Sequence, residues 1–225
     1  MKINIKSKHE LEAEPIFKAK SKSGFAGTLP AYLGGAVMIV LLIAITLPGC
    51  RTVGCISGNC AGGEGSYTYE NGDQYRGRWM NQKPHGKGTY TYSDGGLYEG
   101  EFQNGERDGQ GTMRYPDGSV YTGRWSDDKR SGQGTFRWAN GDNYEGEFKD
   151  DSIQGKGTQT LADGSVYKGD FVNGKREGRG VMHYANGNVY EGEWKNNQPN
   201  GQGTLKETDG TVRTGLWVNG QYITQ

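Results

Sequence analysis

Tyr98-Glu99-Gly100-Glu101-Phe102 reads aromatic, any, glycine, any, aromatic, and the chain keeps returning to it. The pattern stands at Tyr75-Arg76-Gly77-Arg78-Trp79, Tyr121-Thr122-Gly123-Arg124-Trp125, Tyr144-Glu145-Gly146-Glu147-Phe148, Tyr167-Lys168-Gly169-Asp170-Phe171 and Tyr190-Glu191-Gly192-Glu193-Trp194. A worn copy, Arg213-Thr214-Gly215-Leu216-Trp217, comes last. Each step is 23 residues with no insertion. A fixed period of this length is the signature of a repeat architecture.

Two further markers keep phase with the motif. A turn pair lies four residues ahead of each aromatic: Asn71-Gly72, Asp94-Gly95, Asp117-Gly118, Asn140-Gly141, Asp163-Gly164, Asn186-Gly187 and Asp209-Gly210. A Gly-x-Gly follows each motif, from Gly86/Gly88 to Gly201/Gly203, and one step further back it falls on Gly63/Gly65. The array therefore occupies residues 63–225, about seven units.

Side chains alternate faces along a strand. Tyr98, Gly100 and Phe102 then share an aromatic face and Glu99 and Glu101 a wet one. Gln103 to Asp108 reads as a connection, and Gly109 to Tyr115 as a returning strand. Asp117-Gly118 then turns the chain into the next unit, because glycine accepts positive φ without steric cost. The fold expected is an all-β repeat array: one elongated antiparallel sheet of consecutive β-hairpins, ~65 Å long at ~4.8 Å per strand. Glycine inside a strand is costly, so Gly77, Gly100, Gly123, Gly146, Gly169, Gly192 and Gly215 imply close approach. A ring from a neighbouring strand is expected over the backbone there, and over the Gly-x-Gly pairs likewise. On the wet face, units with two glutamates alternate with basic, neutral or mixed ones, which is expected to relieve like-charge repulsion.

Ahead of the array the composition changes twice. Residues 1–24 form a polar, lysine-rich tail. Residues 25–49 carry no charge, and Ala31 to Leu47 is almost wholly apolar, which predicts one N-terminal transmembrane or signal-anchor helix. Lysines before it and only Arg51 just after it place the N-terminus in the cytoplasm and the repeats outside. Two anchors remain open: an uncleaved span, or a lipoprotein signal, since Leu47-Pro48-Gly49-Cys50 resembles a lipobox with Cys50 as lipid acceptor. Residues 50–62 read as a Cys/Gly linker, with two readings of its cysteines: Cys50 carries lipid while Cys55 and Cys60 form a small disulfide loop, or all three are free or variably oxidised thiols.

Residues 63–225 resemble the MORN (membrane occupation and recognition nexus) repeat family. Tyr167-Lys168-Gly169-Asp170-Phe171-Val172-Asn173-Gly174-Lys175-Arg176, followed by Gly178-Arg179-Gly180, carries the likeness well. The resemblance implies an extended β-ribbon that binds or scaffolds, with phospholipid or protein as ligands in different relatives.

Charge and motifs narrow the function classes. The first 50 residues hold six lysines against three glutamates, so the neutral whole leaves the remainder at −3. That gives no basic footprint for nucleic acid and no lysine cluster for anionic lipid. His9, His85 and His183 sit at different phases, and no nucleophile has a base at a recognisable spacing. No catalytic residue, metal site or cofactor is expected. The defining rings Tyr75, Trp79, Tyr98, Phe102, Tyr121, Trp125, Tyr144, Phe148, Tyr167, Phe171, Tyr190, Trp194 and Trp217 are read first as core. Trp79, Trp125 and Trp138 are the alternative contact stripe for a protein or envelope-component partner. The expectation is a non-enzymatic, membrane-anchored binding protein; a lipid-facing module is the second reading.

Overall fold

The computed structural model describes residues 53–224. They form a single sheet of sixteen strands, each paired antiparallel with its sequence neighbours and in sequence order throughout. It opens with β1 (Gly54–Gly58) and β2 (Gly62–Thr68). Hairpins follow: β3 (Gln74–Met80) with β4 (Lys83–Thr91), β5 (Leu97–Gln103) with β6 (Glu106–Arg114), and β7 (Val120–Ser126) with β8 (Lys129–Arg137). Then come β9 (Asn143–Lys149) with β10 (Ser152–Thr160), β11 (Val166–Val172) with β12 (Lys175–His183), and β13 (Val189–Lys195) with β14 (Gln198–Lys206). β15 (Val212–Val218) and the two-residue β16 (Gln221–Tyr222) complete it. No helix among the described residues is long and apolar enough to cross a membrane, and the anchor expected over 25–49 and Cys50 lie outside those residues.

The turns at the two long edges differ. At one, a type I′-like pair with positive φ at both positions joins the strands, as at Asn104 (φ 53°) and Gly105 (φ 95°). The connection expected over Gln103–Asp108 thus shrinks to two residues, and the returning strand starts at Glu106. At the other edge, Gly118 N–H donates to Tyr115 C=O and Tyr115 N–H to Ser119 C=O, with Asp117 Oδ1 accepting from Ser119 N–H. Only glycine takes φ near 90° there cheaply, which is why every such turn carries it.

One interlock recurs in every unit. Glycine faces glycine along the whole array: Gly65↔Gly77, Gly77↔Gly88, Gly88↔Gly100, Gly100↔Gly111 and onward to Gly203↔Gly215. A Cβ on Gly111 would collide with the Tyr98 ring, and one on Gly100 would lie 2.6 Å from Gly111 Cα. The ring covering each glycine pair is thus the tyrosine two residues upstream on the first strand. It lies over its own strand and the next. The first glycine of each Gly-x-Gly does something else. Gly132 (φ 58°), Gly155 (φ 66°) and their equivalents sit in a β-bulge where register slips against the preceding strand. At that slip the phenol donates to a backbone carbonyl, Tyr121 Oη to Arg124 O at 2.9 Å and Tyr98 Oη to Glu101 O at 3.0 Å. Burial pushes these phenols up, Tyr144 and Tyr190 to about 12, so they remain donors at neutral pH.

The rings form one continuous edge-to-face ladder. Tyr98 stands 5.1 Å from Phe102 of its own strand and 5.4 Å from Trp125 of the next unit, at interplanar angles of 86° and 85°. Tyr121 repeats this with Trp125 and Phe148, and the ladder continues to Trp217. Each such pair adds ~0.5–1.5 kcal/mol beyond the area it buries, and half of that gain belongs to the boundary between units. At the last motif Arg213 replaces tyrosine. Tyr222 supplies the missing ring from the following strand, 5.4 Å from Trp217 and donating to Thr214 O at 3.0 Å.

Within the segment expected to be a linker, residues 54–58 form a strand. β1 pairs with β2, and a disulfide joins Cys55 to Cys60 with Cα atoms 6.0 Å apart. Cys60 Sγ lies where a Cβ on Gly65 would point, so this hairpin covers the first glycine pair where a preceding unit would otherwise stand.

Gly123→Ala tests the interlock. The new methyl would lie 2.6 Å from Gly134 Cα and from Tyr121 Oη, and we expect about 2–3 kcal/mol lost to overpacking. Gly62→Ala, with nothing within 4 Å of its Cβ, should change stability by less than ~0.5 kcal/mol. Urea unfolding followed by tryptophan fluorescence reads both.

Candidate binding surfaces

The two faces of the sheet are chemically distinct. The aromatic face is largely self-covered. Trp79 is 6% exposed and Trp125 1%, so two of the three rings considered for a contact stripe are core. Trp138 is half-buried, 4.6 Å from the ring of Phe136. It belongs to a second row with Tyr69, Tyr92, Tyr115 and Tyr184 that packs against the core from its margin. Burial raises the phenol pKa of Tyr92 to about 12.

Three arginines are buried on this face. Arg107 is 6% exposed, with its guanidinium 4.0 Å above the Trp125 ring. Its Nε donates to Asp128 Oδ1 at 3.0 Å and its Nη2 to Asp128 O at 2.7 Å. Arg130 repeats the arrangement with Asp151. Both aspartates are the second residue of the following hairpin's turn, where φ is positive. Sequence reading missed these residues, though a 21-residue correlation marks them. Where that turn residue is Gly105, Gly174 or Gly220, the position 21 earlier is Pro84, Ile153 or Pro199. Where it is Asp128, Asp151 or Asn197, the partner is arginine, and Gln82 of the first hairpin stands 21 after Ala61. In all of these, the turn N–H donates to the earlier residue's carbonyl, which stitches one long edge.

The other edge is stitched at a spacing of 20. Asp73 Oδ1 accepts from Ser93 N–H, Ser119 Oγ from Ala139 N–H, Asp142 Oδ1 from Ala162 N–H and Ser165 Oγ from Ala185 N–H. At the one step where Gly96 has no acceptor, the donor position is Pro116, which has no N–H. Burial opposes ionisation of Asp73, but donors from Ser93, Tyr90 and Asn71 outweigh it and hold the carboxyl below its ordinary range.

The wet face carries the open clefts. Cavities of about 740, 530 and 570 Å³ lie along it, floored by the glycine pairs. Two rows of side chains wall them. One row holds the second wet residue of each motif and, opposite it across the unit boundary, the middle residue of Gly-x-Gly. Four of its cross-strand pairs set opposite charges against each other, Glu64↔Arg78, Lys87↔Glu101, Lys156↔Asp170 and Arg179↔Glu193, while Arg124 faces Gln110 and Glu147 faces Gln133. Repulsion is thus relieved by the intervening strand rather than by alternation between units. Lys156 Nζ approaches Asp170 Oδ1 to 2.7 Å. That ammonium, together with the Arg179 backbone N–H, keeps the Asp170 carboxyl below its usual range against the effect of burial. With Lys156 mostly exposed, the pair adds little stability.

The other row is threonine-rich. It runs Arg76, Thr89, Glu99, Thr112, Thr122, Thr135, Glu145, Thr158, Lys168, Val181, Glu191, Thr204, Thr214, each paired with the next across the sheet. Among the described residues its charged members make no ion pair. No group of three or more His, Cys, Asp or Glu among the described residues converges to hold a metal ion.

Comparison with known proteins follows the period. The family model for the MORN repeat matches residues 61–74, 75–97, 98–120, 121–143, 144–166, 167–189 and 190–212, together 152 of the 225 residues. No curated protein matches the sequence. Among solved structures, the chain is similar to the SAS-4 (dCPAP) TCP domain of Drosophila melanogaster in complex with a proline-rich motif of Ana2. Identity is 13% and TM-score 0.44, over 83% of this chain and 97% of that one. It is also similar to the TCP10 domain of Danio rerio CPAP, at 18% identity and TM-score 0.29, over 68% and 83%. Catalytically inactive virginiamycin B lyase from Staphylococcus aureus matches at 14% identity and TM-score 0.18, over 71% and 57%.

The third arginine offers a test. Arg176 stacks 5.2 Å from the Trp194 ring, but its turn partner is Asn197, which accepts only from the Arg176 backbone N–H. Arg176 Nε is buried without an acceptor among the described residues, and burial lowers the guanidinium pKa. Asn197→Asp restores the arrangement of Arg107 and Arg130. It should stabilise the array by ~1 kcal/mol, read as a raised urea midpoint that Arg176→Met in the same background abolishes.

Proposed function

This chain belongs to the MORN repeat family, and we propose that it is a non-enzymatic binding or scaffold protein. In this reading residues 25–49, or a lipid on Cys50, hold it at a membrane. Its ribbon is presented on the extracytoplasmic side to a protein or envelope component. The observation that carries the binding role is the wet-face groove. It runs along the sheet from Glu64 to Thr214, floored by backbone and open to solvent. A groove of that length, with opposite charges facing each other along much of one wall, suits holding an extended partner rather than acting on a small substrate.

The extracytoplasmic placement draws on two observations. The lysine-rich tail precedes the apolar stretch. The Cys55–Cys60 disulfide suits an oxidising compartment, since thiols in the cytosol are kept reduced. The array's balance of −4 favours a protein or envelope partner over an anionic lipid surface.

Two measurements check this reading. Protease added to intact cells should remove the array and leave the tail. An array protected until the membrane is opened would reverse the topology. Cross-linking of the anchored protein in its native membrane, followed by pull-down, should capture a partner that glutamate-to-lysine changes in the groove release. Capture of lipid alone would instead favour the membrane-facing reading.

A further inference from the structure

The threonine-rich row has a period that a ligand can match, and its charges have an order. Consecutive motif positions in this row are Arg76, Glu99, Thr122, Glu145, Lys168, Glu191 and Thr214, all exposed. Their signs run plus, minus, neutral, minus, plus, minus, neutral. Each is two strands from the next, which sets them ~9.6 Å apart along the groove. Threonine or valine from the intervening strand separates each from the next. The row across the groove sets most of its own charges against opposite ones, Arg124 and Glu147 excepted. Arg76, Glu99, Glu145, Lys168 and Glu191 make no ion pair among the described residues, and their order differs along the array.

A polypeptide laid along this groove crosses the strands at right angles. A β-strand ligand rises ~3.3 Å per residue, so every third residue would meet a new unit, but alternate ones would point away. A polyproline II helix has three residues per turn and rises ~3.1 Å per residue, so every third residue returns to the same face after ~9.3 Å. That differs from the unit spacing by only ~0.3 Å, or about 1.5 Å accumulated over five steps. Its carbonyls have no internal hydrogen bonds and face outward. The hydroxyls of Thr89, Thr112, Thr135, Thr158 and Thr204 lie between the charged steps and are able to donate to them. Being preformed, such a helix loses little entropy on docking.

We propose that the wet-face groove binds a polyproline II segment one turn per repeat unit. Every third residue of that segment is read by charge against Arg76, Glu99, Thr122, Glu145, Lys168 and Glu191. This rests on the binding role given above and specifies its ligand class. The preferred segment carries, at intervals of three, an acidic, a basic, an uncharged, a basic, an acidic and a basic residue, in either chain direction along the groove.

The probe is a synthetic peptide, Asp-Pro-Pro-Lys-Pro-Pro-Ser-Pro-Pro-Lys-Pro-Pro-Glu-Pro-Pro-Lys, with its reversed sequence as a second probe. The protein is the full chain in detergent micelles or nanodiscs, and binding is read by fluorescence anisotropy. One of the two peptides should bind at least ~10-fold more tightly than a control with a third proline in each gap, which loses register after one unit, a difference of about 1.4 kcal/mol. The triple variant Glu145→Lys, Lys168→Glu, Glu191→Lys should weaken binding by a similar factor. A peptide with the three facing charges reversed should restore it. Circular dichroism and the urea midpoint of the variant should match the parent, because all three side chains are exposed. Equal affinity for the three- and four-residue spacings, no binding of either peptide, or a variant indifferent to the charge swap would each overturn the proposal. If cross-linking still captures a protein partner in that event, the binding role stands and only this ligand class falls.

Discussion

The fold depends on a tyrosine lying flat over a pair of glycines that face each other across two strands. The contact leaves no room for a β-carbon on either residue, so backbone and ring touch directly. It also settles a polar problem. A β-bulge interrupts pairing beside each glycine pair, and the tyrosine hydroxyl donates to the carbonyl there. Ring, bulge and glycine pair are thus one device, repeated each 23 residues. A single-layer sheet has no second layer to bury its apolar face, so its rings must bury one another. Edge-to-face packing lets each tyrosine serve its own unit and the next, which makes every boundary a hydrophobic contact.

Boundaries are the unit of stability in such arrays, and the ends must be treated separately. At the start, the disulfide-closed hairpin of β1 and β2 covers Gly65 with Cys60 where a preceding unit's strand would lie. At the last motif, Tyr222 does for Gly215 what Tyr190 does for Gly192 and Gly203. The long edges are closed by a different economy. Turn N–H groups donate to carbonyls 21 residues back, and side-chain oxygens accept from N–H groups 20 residues on. Proline and glycine fall together where that second bond is dispensed with, at Pro116 and Gly96. With rings, ends and edges all committed to structure, the wet face is left free to vary. One row sets most of its charges against opposite ones, and the threonine row keeps charges that make no ion pair among the described residues.

The sequence by itself determined the period, the two-strand unit, the order of strands and the identity of the core rings. Each of these follows from local chemistry: side-chain alternation, positive φ at glycine, and the cost of a bare glycine in a strand. Only the tertiary structure decided that the covering ring belongs to the same unit, that the first glycine of each Gly-x-Gly makes a bulge, and that residues 54–58 are a strand rather than a linker. It alone brought Arg107 to Asp128 and Lys87 opposite Glu101. These are contacts between residues 14 to 21 positions apart. Their partners are fixed by bulge register and turn geometry, and a one-residue change in either would have exchanged the two faces.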